Sequence, residues 1–295
     1  MNSEPSWDLY RTFAAVLREG SMSGAARVLG FTQPSVARHV DALEQAVGGA
    51  LFVRSQRGLS PTDRALVLRP YAESMVATSA ALFRTASADP GEIAGSVRVT
   101  ASEVVAVEHL PPLLTALRQR HPKLAIELVS SDAVDDLLQR RADIAIRMVA
   151  PTQQALVARN VGKVTLGLHA HQAYLERRGT PASITDLQGH DIIGMDADST
   201  ISRAVLQAIP GINRDCLALR TDSTLAQAAA IRAGLGIGVC QVGIAARDPA
   251  LRRVLAEHLA IDLPVWIVMH EDLRTSSRCR AVFDALANGF SEHGA

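Results

Sequence analysis

The sequence predicts a small, mainly helical domain followed by a larger α/β domain, and three observations carry this. From Trp7 to Val47 the apolar residues recur with helical period, and a strand pair comes only after them. From about Ser96 short β-branched runs alternate with helical ones, as in a mainly parallel sheet with crossover helices. Between the two, "ADPGEIAG" has Pro and Gly but no periodicity, and a hinge is placed there. At 295 residues the chain has room for more than one domain.

Composition narrows the function classes. Apolar residues make up 48% and charged residues 20%, a globular mixture with ample core. The 30 basic and 30 acidic residues cancel, so any surface for nucleic acid must be a local one. Lysine occurs only at Lys123 and Lys163, a bias we read as genome composition. "MNSEPSWDLYRTF" lacks a basic start followed by an apolar stretch, so no secretory leader is expected. No apolar run reaches the eighteen or so residues of a membrane span. Cys216, Cys240 and Cys279 are odd in number and far apart, against a disulfide framework or a paired zinc motif. A cytoplasmic protein is expected. The 9 histidines show no metal spacing and there is no nucleophile elbow. In "AGLGIGV", Gly234, Gly236 and Gly238 follow a helix and enter a strand, the reverse of a dinucleotide loop. No catalytic residue, cofactor or metal is therefore expected.

The N-terminal elements follow in order. Leu9, Phe13, Val16 and Leu17 share one helix face, ended by Gly20; Ser23 is expected to cap a short second helix closed by Gly30. In "GFTQPSVARHVDALEQAVG", Thr32 is a capping residue, which makes Gln33 the first helical position and Pro34 the second. Proline costs little there, because a first-turn amide has no intrahelical acceptor. Val36, Val40, Leu43 and Val47 form the apolar face, opposite Pro34, Arg38, Asp41 and Gln45. A short helix, the turn "GFT" and this second helix make a helix-turn-helix. "LFVR", "SQRG" and "LSP" read as a hairpin with Arg54 and Arg57 at its tip, a wing suited to phosphates. The start of the second helix of such a motif enters the major groove. There Gln33 suits adenine and Arg38 guanine, while Thr32 and Ser35 suit phosphate oxygens. Thr62 caps a long segment whose Leu66, Tyr71, Met75 and Leu82 exceed what a free helix needs; Pro70 should kink or divide it.

In the α/β part the strand candidates are "SVRVTAS", "LAIELVS", "DIAIR", "KVTLGLHA", "CLALRT", "GIGVCQV" and "VWIVMHE", with helices "LPPLLTALRQRHP", "AVDDLLQRR" and "STLAQAAAIRAG" between them. These strands are many for one small sheet, so two sheets are expected.

"AARVL", "TQPSVARHV", "LE", "LF" and "RGLSPT", at these spacings, resemble the winged helix-turn-helix of the LysR-type transcriptional regulators, and the resemblance continues through "GSVRVTAS" and "ADIAIR" over nearly the whole chain. It places Thr32, Gln33, Pro34, Ser35 and Arg38 where the family contacts DNA. Two positions depart from it: Ala37 stands where the family often has serine, and Ala65 where it often has glycine. The first removes a hydroxyl from the groove side.

The resemblance implies residues 1–64 as the DNA-binding domain, 65–91 as a linker and dimerisation helix, and 92–295 as an effector-binding domain like a periplasmic binding protein. That domain would have two Rossmann-like subdomains, residues 92–162 with 266–291, and 163–265. Ligands of such sheets bind beyond the carboxyl ends of strands. The rule selects Ser102, Glu103, Ser131 and Arg147 from the first subdomain, and Met195, Asp196, Thr221 and Ser223 from the second. Each has a plainer role open to it: Ser102 and Ser131 as helix caps, Arg147 as a partner of Asp132. Glu103 argues against a purely anionic effector, although a small organic acid is the family's habit. The implied partners are a double-stranded DNA operator with an interrupted palindrome, a small-molecule effector, and further copies of the chain as a dimer and tetramer; no membrane is expected. Two alternatives stand beside this: a redox-responsive regulator using Cys216 and Cys240, and a solute-binding protein, which would leave residues 1–64 unexplained.

Overall fold

The computed structural model describes residues 4–55, 58–86, 93–131, 142–151, 156–197, 200–209 and 211–293. They form two compact units, parted between residues 86 and 93.

The first unit holds α1 (Trp7–Glu19), α2 (Met22–Leu29), α3 (Gln33–Val47), the antiparallel hairpin β1 (Phe52–Ser55) and β2 (Gly58–Pro61), and α4 (Asp63–Ala86). Gly20, Gly30 and Gly48 end α1, α2 and α3 in left-handed conformation, with φ of 64, 70 and 73°, where a side chain would strain the backbone. Phe13, Val16, Ala25, Val36, Val40, Leu43 and Leu51 build one core, and Ala65 and Ala72 of α4 belong to it. Buried Thr12 bonds His39 Nδ1 at 2.9 Å, tying α1 to α3.

Two local expectations need correction. The cap of α2 is Ser21, not Ser23: its backbone is extended (φ −156°, ψ 146°) and its hydroxyl accepts from Gly24 N at 3.0 Å. Ser23 lies inside the first turn. Pro70 does not divide α4, which runs unbroken through it. The carbonyl of Leu66 loses its amide partner to the proline, but both residues are exposed and water can replace it.

The second unit contains strands β3 (Gly95–Ala101), β4 (Leu124–Ser130), β5 (Ile144–Arg147), β6 (Leu156–His171), β7 (Ile192–Gly194), β8 (Leu217–Arg220), β9 (Ile237–Gln241), β10 (Leu251–Val254) and β11 (Ile261–His270). Its helices are α5 (Leu110–Arg120), α6 (Gln172–Arg178), α7 (Thr200–Ala208), α8 (Thr224–Arg232), α9 (Val242–Ala245) and α10 (Ser277–His293). A π-helical turn at Val105–His109 precedes α5. The helix expected at "AVDDLLQRR" lies outside the described residues.

The expectation of two separate sheets is overturned. The described strands join in one sheet of order β4-β3-β5-β11-β6-β9-β7-β8, with β10 on β6. The reason is the long antiparallel ladder of β6 and β11, which runs from Leu156↔His270 to Leu166↔Ile261 and spans both halves. Strand β6 starts well before "KVTLGLHA"; β7 was implied only by the choice of Met195 and Asp196 at a strand end, and β10 was not foreseen. Midway the register shifts between Val265 and Trp266, opposite Gly162, whose φ of 125° suits glycine. On one side of this bulge lies a core of Val97, Val99, Leu110, Ile144, Val282 and Phe290. On the other lies a second, of Leu168, Tyr174, Leu187, Ile192, Ile209 and Ile237. Parallel trios, β4-β3-β5 and β9-β7-β8, flank the crossing strands.

His169 on β6 is 2% exposed, and its Nδ1 is 2.9 Å from the Gly167 carbonyl, so Nδ1 carries the proton. Burial, more than any neighbouring charge, holds its pKa below the ordinary histidine range. The unfolded chain therefore binds the proton first as pH falls. Stability of the second unit is full above the ordinary histidine pKa and is lost on acidification, by at most about 1.4 kcal/mol per pH unit for this group. Urea titrations at pH 7.5 and 5.5 should show a steeper loss in the native protein than in His169→Gln; equal losses would reject the assignment.

Candidate functional site

The exposed start of α3 is organised by its own side chains. Thr32 caps the helix by accepting from Ser35 N at 3.3 Å, and the two hydroxyls are 2.9 Å apart. Arg38 Nη2 donates to Ser35 Oγ at 3.4 Å. Arg38 is exposed, and among the described residues no carboxylate pairs with it. Gln33 is exposed too, and its Oε1 accepts from Ser23 Oγ of α2 at 3.1 Å. Thr32, Gln33, Pro34, Ser35 and Arg38 thus share one outward surface, while Val36, Val40 and Leu43 point into the core. The Arg54 side chain and Arg57 lie outside the described residues.

Sequence reasoning missed Glu44. Its Oε1 accepts from Leu51 N at 2.6 Å and Phe52 N at 3.2 Å, which fixes the entry of the hairpin against α3. An acid on the inner flank of a helix, seven residues before a strand, was the available signal.

In the second unit the carboxyl ends of β3, β4 and β5 lie side by side, because the strands are parallel and adjacent. This brings together Ser102 and Glu103, Ser131, whose amide donates to Ala101 O at 2.9 Å, and Arg147. Ser102 begins the helical segment that follows, its carbonyl accepting from Ala106 N at 2.8 Å. Arg147 lies along its own edge, donating to Ile146 O at 3.0 Å and to Thr100 Oγ1 at 3.2 Å. Asp132, the alternative partner of Arg147, lies outside the described residues.

The carboxyl ends of β7 and β8 carry the second set. Thr221 N donates to Gly194 O at 3.0 Å, and the Thr221 hydroxyl accepts from Ser223 N at 3.2 Å. Ser223 caps α8 by accepting from Ala226 N at 3.2 Å. Met195 lies next to this turn in sequence. Asp196 is less available for a ligand: its carboxylate meets Arg214 Nη2 at 2.5 Å and Arg220 Nε at 4.0 Å.

The two sets meet. Glu103 Oε2 accepts from Ser223 Oγ at 2.9 Å, Thr224 Oγ1 at 3.3 Å and Leu225 N at 3.5 Å. Beside this, Glu108 Oε1 accepts from Arg232 Nη2 at 3.0 Å and the Glu108 carbonyl from Arg247 Nη1 at 2.9 Å. His109 Nε2 is 2.8 Å from Gln241 Oε1. Burial lowers the pKa of His109, so the imidazole is neutral near pH 7 and its Nε2–H donates to Gln241. Glu108, His109, Arg232 and Gln241 were not anticipated. The carboxyl-end rule, applied also to "GIGVCQV", would have selected Gln241.

Cys216, Cys240 and Cys279 are free thiols. Burial pushes the Cys240 thiol above its ordinary pKa, away from the reactive thiolate. Among the described residues no cluster of three or more His, Cys, Asp or Glu could hold a metal ion, and no helix is long and apolar enough to cross a membrane.

Comparison with known proteins agrees with this architecture. Residues 7–66 match the bacterial regulatory helix-turn-helix protein, lysR family, and residues 90–291 match the LysR substrate binding domain. The HTH-type transcriptional regulator CrgA of Neisseria meningitidis serogroup C is 31% identical over 197 residues, 66% of each chain, just under two thirds of that relative's length. The solved structure of CrgA from Neisseria meningitidis is similar over 100% of both chains, with a TM-score of 0.61 and 26% identity. The full-length LysR-family regulator CbnR, solved with its target DNA, shares the fold at TM-score 0.66 and 19% identity, over 96% of this chain and 99% of that one. With a helix-turn-helix of the lysR type at one end and a LysR substrate-binding domain filling most of the rest, this chain belongs to the LysR family of DNA-binding transcriptional regulators.

Proposed function

We propose that this chain reads a DNA operator through the start of α3 and responds to a small molecule received between the two halves of its second unit. The observation that carries the reading is the convergence of polar groups from two separately cored halves, Glu103 on one side and Ser223 on the other, at the carboxyl ends of parallel strands. Thr32, Gln33, Pro34, Ser35 and Arg38 are the proposed DNA contacts, with Arg54 and Arg57 on the wing. Ser102, Ser131, Arg147, Met195 and Thr221 are the proposed effector contacts around Glu103 and Ser223, with Asp196 at the margin.

Residues 1–64, 65–91 and 92–295 are the proposed domains. Helix α4 leaves Val67, Tyr71, Leu82 and Phe83 exposed by 63% or more, and we assign that face to a second copy of the chain. A dimer reads an interrupted palindrome with half-sites about one helical turn apart. A tetramer, a cytoplasmic location and a small organic acid as effector complete the reading.

The test has two parts. Footprinting on the DNA upstream of the chain's own gene should show two protected half-sites. Screening of small organic acids by thermal shift should find one that stabilises the full-length protein and alters the footprint. Arg147→Ala should keep the unliganded footprint and lose the response to that acid. A melt showing that the variant is unfolded would instead assign Arg147 to the fold.

A further inference from the structure

The bond between Glu103 and Ser223 is one of a series made by the segment Glu103–His109. It leaves the carboxyl end of β3, contains the π-helical turn, and packs on the first core through Val105 and Ala106. The His109 ring also stacks on Phe290 of that core, with centroids 5.8 Å apart, but the hydrogen bonds of the segment's polar side chains go elsewhere. Glu103, Glu108 and His109 each bond a residue of the other half: Ser223 and Thr224 at the start of α8, Arg232 at its end, and Gln241 at the end of β9. The Glu108 carbonyl adds Arg247. π-turns are rare and concentrate at functional places. Here the turn belongs to one half and is bonded along its length to the other.

We infer that this segment is a clasp, which holds the two halves together by the chain's own side chains. Glu103 is its main element. Its carboxylate lies at the amino end of α8, where two hydroxyls and a backbone amide donate to it, and the helix dipole favours a negative charge there. The Glu108–Arg232 pair and the His109–Gln241 bond are set further along the same interface. An effector that takes Glu103 or Ser223 as a contact competes with their bond, so the clasp sets a threshold for response. It is a two-state element whose closed population an effector has to shift. The inference rests on the proposed position of the effector, but its test needs no effector.

Cys240 provides the readout. It lies on β9 next to Gln241, within electrostatic range of Glu108 and Arg232, and is half-buried, whereas Cys216 is exposed and Cys279 buried. Alkylation of the full-length protein by iodoacetamide, followed by mass spectrometry, gives the rate at each cysteine. In Glu103→Gln the Cys240 rate should rise about tenfold, the factor expected when a charge-assisted bond is lost from the closed state. Cys216 and Cys279 should keep their rates. Ser223→Ala, which removes the same bond from the other side, should do the same. Because Ser223 also caps α8, which packs on Cys240 through Ala230 and Ile231, Ser223→Asp is the control. It keeps a capping oxygen but cannot donate to Glu103, and should accelerate Cys240 as well, whereas acceleration in Ser223→Ala alone would assign the effect to the cap and overturn the clasp. An unchanged rate in Glu103→Gln and Ser223→Ala also overturns it. If Glu103→Gln fails to fold, Cys279 will react as fast as the rest, and the two Ser223 variants decide. Failure of the organic-acid screen with accelerated Cys240 would sink the effector reading and leave the clasp.

Discussion

Replacing Glu44 with alanine is expected to cost the DNA-binding unit about 2–3 kcal/mol. One carboxylate oxygen accepts two backbone amides, those of Leu51 and Phe52, at 2.6 and 3.2 Å. Hydrogen bonds to a charged acceptor contribute about 1.5–3 kcal/mol, and a partly buried amide left without a partner adds its desolvation penalty. Leu51 is 0% and Phe52 9% exposed, so water reaches those amides poorly. The same residues join the wing hairpin to the core, since Phe52 packs on Phe13 with ring centroids 5.7 Å apart. Operator affinity should therefore fall along with the urea midpoint, because the wing loses its anchor on α3. Glu44→Gln keeps an acceptor oxygen and should lose about half as much. An alanine variant within about 0.5 kcal/mol of the parent, the range of an ordinary surface substitution, would show that Glu44 does not hold the hairpin.

Arg38→Ala should lower discrimination between operator and unrelated DNA by about 1–3 kcal/mol with little change in melting temperature. Arg38 is exposed, and among the described residues its side chain has one hydrogen bond, to the Ser35 hydroxyl at 3.4 Å, so its removal leaves no hole in the core. Thr32 and Ser35 form a short hydroxyl chain that aims the guanidinium along the start of α3. If Arg38 instead contacts phosphate, binding to all sequences should weaken alike and the salt slope should fall by about one. Binding isotherms at several salt concentrations, on operator and scrambled duplexes, separate the two. Unchanged operator affinity would remove Arg38 from the interface altogether. Gln33 gives a useful comparison, because its amide oxygen is already held by Ser23; any base it reads is read from a restrained side chain.

The first unit was largely legible because its signals are local. Thr32, Pro34 and Gly48 mark the two ends of α3, and the period of Val36, Val40 and Leu43 marks its inner face. Each acts within one or two helical turns. The two local errors, Ser23 for Ser21 and a break at Pro70, arose where neighbouring residues competed for one role or where solvent relieves a missing bond.

In the second unit, strand identity was legible for most elements, but sheet continuity was not. The pairing of β6 with β11 joins residues about a hundred positions apart, and alternation within a strand does not name its partner. The site divides in the same way. The carboxyl-end rule selected Glu103 and Ser223 separately, yet their bond links positions 120 residues apart. The family, the helix-turn-helix and the residue types at the strand ends were readable along the chain, because capping, period and turn chemistry act over short stretches. That Glu103 faces Ser223, that Glu44 accepts from the hairpin's amides and that nine strands among the described residues make one sheet emerged from the folded chain, because contacts between distant segments depend on how whole elements pack.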